Sequence, residues 1–139
     1  MLLKKLNQEE IKSFIKIVAE FIAVDSNLSV EENTVIERYL NEFSLVKKTI
    51  DEISKEDAIK TLMNADNRSK RIVYFELLGI ALIDGEYETS EVDYLEHLAN
   101  EFGITRSDKI IFANYYFDYE NIVKLSNEER DNRLNTIFA

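Results

Sequence analysis

Residues 72–83 read IVYFELLGIALI, and this apolar stretch decides the class of fold. It is too long for one strand and contains no turn signal, so it predicts a central helix over about residues 69–83. Gly79 would cost such a helix about 1 kcal/mol relative to alanine, so we expect a neighbouring helix to approach closely there. Asp84 and Gly85 follow, and this pair is typical of a helix that ends with a glycine cap.

The composition of the whole chain also favours helices. Its 139 residues include no proline and three glycines, so the residues that normally form tight turns between strands are scarce. A chain of this length with 45% hydrophobic residues matches one domain with a sizeable core. We therefore expect a single all-α domain over residues 1–139, a bundle of about seven or eight helices.

Helix-start signals divide the rest of the chain. Asn7 and Glu10 predict the start of a first helix that reaches about residue 24 and is buried on most faces. The capping-box pattern at 29–32 predicts a second helix that ends near residue 43. The remaining signals predict two short connecting helices within 45–66, one of which starts at Ser54. They also predict a helix that follows the Asp84–Gly85 turn and runs to Phe102 with Gly103 as its cap, an aromatic-rich helix over about 107–125, and a last helix opened by Ser126 and Glu129.

The chain contains an internal repeat, in which residues 14–45 align with residues 73–104 without a gap, at a constant offset of 59. Helical periodicity would produce matching apolar positions but would not readily produce matching acidic ones. The repeat therefore predicts two pseudo-symmetric helix-turn-helix units. The identical positions are Asp25/Asp84, Glu32/Glu91, Glu37/Glu96, Asn41/Asn100, Glu42/Glu101 and Phe43/Phe102.

Residues 77–91 of the second unit read LLGIALIDGEYETSE, and residues 98–104 read LANEFGI. This pattern resembles the TerB family of tellurite-resistance proteins, whose domain also occurs in a DnaJ-type co-chaperone. The resemblance covers about residues 11–104 and departs at Ser26, where the family often has glycine. It implies an all-α fold that brings its acidic turns together, a link to metal ions and stress, and no enzyme activity.

The acidic residues of the two turns are candidate ligands of a divalent cation. Carboxylates that converge destabilise a protein unless a positive charge offsets them. An all-oxygen ligand set without histidine or cysteine favours Mg²⁺, Ca²⁺ or Mn²⁺ over Zn²⁺. The structural alternative is that the aspartates only terminate helices and the glutamates only favour first turns through the helix dipole. The candidates are Asp25, Glu32, Asp84 and Glu91.

Several classes of function are disfavoured by composition. A net charge of −10 argues against nucleic acid and against an anionic membrane surface. The absence of cysteine excludes disulfides and thiolate metal sites. No apolar stretch reaches the roughly 18 residues of a membrane span, and the start of the chain does not match a signal peptide, so we expect a cytoplasmic protein.

No residue pattern indicates catalysis. His97 is the only histidine, and it aligns with Arg38 on the polar side of its helix, so we expect it on the surface. Paired carboxylates such as Glu86 and Glu91 occur in any acidic protein, and no glycine-rich phosphate loop is present. We therefore expect a stress-associated module that is not an enzyme and has no cofactor apart from the cation.

The aromatic residues of the helix over 107–125 raise a second functional hypothesis. Core packing would explain a stripe of rings at helical spacing. An exposed stripe would instead bind another protein or a second copy of the chain. The second hypothesis is thus a protein-interaction or scaffold domain, with a protein partner or a homodimer and no metal. The stripe consists of Phe112, Tyr115, Tyr116 and Tyr119, with Phe117 off it.

Overall fold

The computed structural model of the protein describes residues 2–23, 30–83 and 89–138, without the side chains of 30–33 and 83. These residues form helices and turns and contain no strand, which confirms the all-α prediction. Within the same ranges no helix has the length and apolar character that crossing a membrane requires. In chain order the elements are η1, a 3-10 helix (Leu2–Lys5), α1 (Gln8–Ala23), α2 (Val30–Glu42), α3 (Lys47–Asp51), α4 (Lys55–Met63), α5 (Asn67–Ile83), α6 (Thr89–Phe102), α7 (Arg106–Phe117), α8 (Tyr119–Ile122) and α9 (Asn127–Ile137).

Side-chain caps fix most of the predicted helix starts. At the start of α1, the Glu10 amide donates to Asn7 Oδ1 at 2.8 Å, and the Asn7 amide donates to Glu10 Oε1 at 2.9 Å. This reciprocal pair is a capping box, which satisfies two backbone N–H groups that the helix leaves free. The box predicted at 29–32 and the cap predicted at Gly85 lie outside the described residues. The other confirmed caps are those of Ser54 on the Asp57 amide and of Ser126 on the Glu129 amide.

Two helices begin earlier than predicted because a polar residue just before each of them caps it. Asp66 Oδ1 accepts a hydrogen bond from the Ser69 amide at 2.7 Å, so α5 begins before Ser69. Thr105 Oγ1 accepts from the Asp108 amide at 3.0 Å, and the Asp108 side chain accepts from the Thr105 amide, so α7 also begins early. The signal for each of these starts is thus a capping side chain, as at the other helices, but it lies a few residues before the predicted start.

The prediction of one aromatic-rich helix over 107–125 is wrong, because the chain leaves the helical conformation at Asp118. This residue ends α7 and precedes α8, with φ −94° and ψ 13°. Its carboxylate accepts hydrogen bonds from Asn121 Nδ2 at 2.7 Å and from Arg133 Nη1 at 2.8 Å. An aspartate that binds nearby groups in this way favours caps and turns over the interior of a helix.

The helices that close the two repeat units, α2 and α6, end with the same backbone geometry. Ser44 and Gly103 both adopt the left-handed conformation, with φ 54° and 67°. Each end has the paired hydrogen bonds of a Schellman motif, and the participating positions differ by the offset of the sequence repeat. The longer bonds of the two motifs run from the Leu45 amide to Leu40 O at 2.8 Å and from the Ile104 amide to Ala99 O at 2.9 Å.

Because the left-handed conformation strains a residue with a Cβ, Ser44→Gly should raise the free energy of unfolding by about 1 kcal/mol. Ser44 is exposed, so the change removes no packing. The reciprocal variant, Gly103→Ser, should lower it by a similar amount, since a Cβ at Gly103 would meet nothing within 4 Å and only the backbone strain is added. Urea denaturation of both variants tests this, and a clear loss of stability in Ser44→Gly would contradict it.

The core has α1 at its centre, in agreement with the prediction that this helix is buried on most faces. It packs against α2, α3, α4 and α6. The other long helix, α5, packs against α6, α7, η1 and α4. The buried residues of α1 are Ile11, Ser13, Phe14, Ile15, Ile17, Val18, Phe21 and Ile22.

The close approach predicted at Gly79 is confirmed, and the neighbouring helix is α7. An ideal Cβ built on Gly79 would lie 2.6 Å from Tyr116 Cζ and still closer to the hydroxyl oxygen. Tyr116 Oη donates a hydrogen bond to Phe75 O at 2.8 Å, and the rings of these two residues stack with centroids 4.8 Å apart. Gly79 therefore provides the space in which Tyr116 lies across α5.

Candidate functional site

Of the four predicted cation ligands, only Glu91 has a described side chain. Asp25 and Asp84 lie outside the described residues, and Glu32 lies in α2 with its side chain outside them. Glu91 lies in the first turn of α6 and is buried, with 9% of its surface exposed. The described part of the chain thus locates one of the four carboxylates, and their convergence stays a prediction.

The end of α1 lies beside the start of α6. The rings of Phe21 and Tyr94 are 5.5 Å apart between centroids. Burial, and to a smaller extent the charge of Glu20, raises the pKa of Tyr94. Helix α1, which precedes the first predicted turn, therefore contacts α6, which follows the second predicted turn.

The described residues add no further metal ligands to this region. Among residues 2–23, 30–83 and 89–138, apart from the side chains not described, no three acidic, histidine or cysteine side chains form a group that could hold a metal ion. His97 lies on the surface of α6 with 78% of its side chain exposed, as predicted, and its Nε2 is 3.8 Å from Glu101 Oε1. The cation hypothesis accordingly depends on the carboxylates of the two turns.

A cavity of about 220 Å³ lies between α2, α5 and the C-terminal helices, and it was not predicted from the sequence. Five helices contribute to its wall, so its shape is set by packed elements rather than by a loop. The lining combines charged, phenolic and apolar side chains. It consists of Arg38 and Tyr39 from α2, Phe75, Glu76, Gly79 and Ile80 from α5, Tyr115 and Tyr116 from α7, Tyr119, Ile122 and Val123 from α8 and its end, and Arg130 and Leu134 from α9.

Glu76 provides the carboxyl group of this cavity, and its pKa is raised toward neutral pH. Burial raises its pKa to about 7, and the charge of Glu42 acts in the same direction. The charge of Arg38 and a hydrogen bond with the Tyr39 side chain act in the opposite direction. Glu76 as a whole residue is half-buried, and it lies among the charged, phenolic and apolar side chains of the cavity.

Two guanidinium groups face the same cavity. The Arg38 guanidinium carbon lies 5.5 Å from the centroid of the Tyr39 ring. Arg130 Nη2 donates a hydrogen bond to Asn127 Oδ1 at 2.8 Å, which fixes the orientation of the planar group. The Nε of Arg130 is buried and has no hydrogen-bond partner within the described part of the chain. The site therefore offers positive charge to a small polar molecule, and one of its two arginines carries a buried N–H group without an acceptor.

The aromatic stripe of α7 and α8 mainly packs into the core, as the first of its two interpretations predicted. Phe112 is fully buried, and Tyr115 is 9% exposed. Phe75 of α5 is the centre of this packing, since its ring contacts those of several stripe residues. The centroid distances from Phe75 are 5.4 Å to Phe112, 5.2 Å to Tyr115 and 4.8 Å to Tyr116, whereas Phe117 is 75% exposed.

The sequence contains one signal for the cavity. Glu76 is the only charged residue within 72–83. A single carboxyl group in an apolar helix predicts a charged group in apolar surroundings on one face of α5. The partners that make it a site, Arg38 and Arg130, come from helices far away in the sequence, and no local pattern connects them.

Comparisons with protein-family models, with curated proteins and with solved structures found no match to this chain. The fold places it in the all-α class. The TerB resemblance continues to rest on the residues of the second repeat unit.

Proposed function

We propose that this protein is a non-enzymatic, cytoplasmic module of the TerB-like type that is associated with stress and binds a divalent cation. The observation that carries the proposal is the contact between the end of α1 and the start of α6, through Phe21 and Tyr94. These two helices border the two acidic turns in the sequence, and the proposal is that carboxylates from both turns bind one ion. The ligands are the carboxylates of Asp25, Glu32, Asp84 and Glu91, with Mg²⁺, Ca²⁺ or Mn²⁺ as the ion.

The burial of Glu91 supports the same proposal. Glu91 lies in the first turn of α6, directly after the second acidic turn, and only 9% of its surface is exposed. A cation bound between the two turns would add a favourable charge interaction to those that this carboxylate already has. It would also offset the mutual repulsion of carboxylates in a chain whose net charge is −10.

Titration of the chelator-treated protein with Mg²⁺, Ca²⁺ and Mn²⁺ should release or absorb heat and should raise the melting temperature. At a free ion concentration of 100 times the dissociation constant, binding adds about 2.7 kcal/mol to the free energy of unfolding. Glu91→Gln should weaken binding by about tenfold or more, because it removes one charged ligand while it keeps the shape of the side chain. Isothermal calorimetry and thermal melts measure both quantities.

Asp93→Asn is the matched control, since it removes a negative charge from the same end of α6 at an exposed position. It should leave the affinity nearly unchanged. No heat and no rise in melting temperature for any of the three ions would refute the proposal. Equal losses of affinity in Glu91→Gln and Asp93→Asn would also count against it, because they would indicate a general effect of charge rather than a site.

A protein-interaction or scaffold domain without metal is the second candidate function. The observation that favours it is the exposed apolar surface of α7, where Ile110 is 52% exposed and Phe117 is 75% exposed, on the same face of the helix. Exposed apolar patches mark interaction sites, either for another protein or for a second copy of the chain. Binding of a partner that depends on salt and is unaffected by chelators would favour this candidate over the cation module.

A further inference from the structure

The cavity beside Glu76 is large enough for a ligand. Its volume of about 220 Å³ exceeds the roughly 30 Å³ that one water occupies in the liquid by several fold. It is smaller than the pockets that hold drug-sized ligands, which begin at about 300 Å³. The size thus selects a molecule of about one ring with a short substituent.

The charges around the cavity select the sign of the ligand. Arg38 and Arg130 supply two guanidinium groups, and Glu76 is the one carboxyl group of the lining. Together with the nearby charge of Glu42, which acts on Glu76, these groups carry a net positive charge when Glu76 is protonated. This polarity is opposite to that of the chain as a whole, whose net charge is −10. An anion fits this environment, whereas the guanidinium groups repel a cation.

Arg130 is the residue of the lining that an anion would contact. A buried N–H without an acceptor is unfavourable, and an anionic acceptor forms the stronger, charge-assisted type of hydrogen bond. The hydrogen bond from Nη2 to Asn127 holds the guanidinium plane in place, so this donor is oriented before a ligand arrives. Preorganisation of this kind lowers the entropic cost of binding.

The aromatic lining selects the rest of the ligand. Tyr39, Tyr115 and Tyr119 line the cavity from three different helices. Aromatic rings pack well against a further planar ring, either stacked or edge to face. We propose that this cavity is a binding site for a small aromatic monoanion of the benzoate size class, with its carboxylate at Arg130 and Arg38 and its ring among the tyrosines.

Binding at this site is coupled to a proton on Glu76. The negative charge of the ligand disfavours the ionised form of Glu76, so binding is stronger when Glu76 is protonated. Since the pKa of Glu76 in the free protein is about 7, the dissociation constant should rise by about tenfold between pH 6 and pH 8. The charged and titratable groups that surround Glu76 are Arg38, Tyr39 and Glu42 from α2, Tyr115 and Tyr116 from α7, Tyr119 from α8 and Arg130 from α9.

Three probes of nearly equal shape test the proposal, and they differ in charge. Benzoate should bind the whole protein with a dissociation constant of about 1 mM or lower at pH 6. Neutral benzamide should bind more weakly, and cationic benzamidine should bind most weakly or not at all. Amide chemical shifts in NMR titrations give the affinities, and the residues that shift with benzoate should include Gly79 and Ile80 of the cavity wall.

Variants separate this site from general attraction of anions. Arg130→Gln should weaken benzoate binding by about tenfold or more, because it removes the charge and the Nε donor. Arg106→Gln is the matched control, since Arg106 is exposed and lies outside the lining. It should bind benzoate like the unmodified protein. Glu76→Gln should bind benzoate about tenfold more tightly than the unmodified protein at pH 8 and should lose the pH dependence.

Several outcomes would overturn the proposal. They are the absence of benzoate-induced shifts at millimolar concentration, a preference for benzamidine over benzoate, and an equal effect of Arg130→Gln and Arg106→Gln. A benzoate affinity that falls by the same factor with pH in Glu76→Gln would overturn the coupling to Glu76. None of these results bears on the divalent cation, because the cation site and the cavity share no residue.

Discussion

Phe112→Ala should lower the free energy of unfolding by about 3–5 kcal/mol, the cost typical of truncating a buried phenylalanine. Phe112 is fully buried, and its ring contacts those of Phe75 and Phe138 at centroid distances of 5.4 and 5.3 Å. The truncation removes a ring from the centre of an aromatic cluster that joins α5, α7 and the end of the chain. Because domains of this size are stable by about 5–15 kcal/mol, the variant should be close to unfolding.

Urea denaturation followed by circular dichroism measures this loss. Phe112→Leu, which retains most of the buried apolar surface, should lose less and should remain folded if the alanine variant does not. Phe117→Ala lies on the same helix and is the matched control, because Phe117 is 75% exposed. Its effect should stay within about 0.5 kcal/mol. Similar losses of stability in Phe112→Ala and Phe117→Ala would mean that α7 does not pack with Phe112 facing α5.

The elements that local sequence determines were predicted well. Residues 72–83 form one helix because their apolar length excludes a strand, and Asn7 with Glu10 begins α1 because a capping box needs partners only three residues apart. The cap at Gly103 follows from the backbone freedom of glycine. Each of these features depends on neighbours within one or two helical turns.

Features that depend on distant partners were missed. The break at Asp118 is stabilised locally by Asn121 and from a distance by Arg133 of α9, and the contact with Arg133 is not visible in the aromatic run itself. Ser44 adopts a left-handed conformation that sequence rules assign to glycine or asparagine. The hydrogen bonds that end α2 hold Ser44 in this conformation, and the aligned Gly103 was the signal in the sequence that could have predicted it.

The two proposed sites also differ in whether they depend on a sequence pattern or on distant partners. The cation site was proposed from the repeat, because acidic identities at a constant offset are visible in one dimension. The cavity became visible only in three dimensions, because Glu76 and Arg130 lie on helices that meet through tertiary packing. A single charged residue in an apolar helix indicates that a polar group or a ligand lies near it. The tertiary structure is needed to identify that group.

Gly79→Ala should lower the free energy of unfolding by about 2–3 kcal/mol, although helix propensity by itself would favour alanine by about 1 kcal/mol. The added Cβ would lie 2.6 Å from Tyr116 Cζ and closer still to its hydroxyl oxygen, distances that real contacts do not allow. Tyr116 would have to move away from α5. The move would break its hydrogen bond to Phe75 O and its stacking on the Phe75 ring, and these losses outweigh the gain in propensity.

The sign of this effect should reverse when Tyr116 is shortened. Tyr116→Leu removes the hydroxyl and the ring atoms that lie nearest to Gly79, so the added Cβ finds space. In that background Gly79→Ala should be neutral or should stabilise the protein by up to about 1 kcal/mol. A double-mutant cycle of the four proteins in urea isolates this coupling, because the two positions are in direct contact. If Gly79→Ala costs the same in both backgrounds, the close approach of Tyr116 is not what requires glycine in α5.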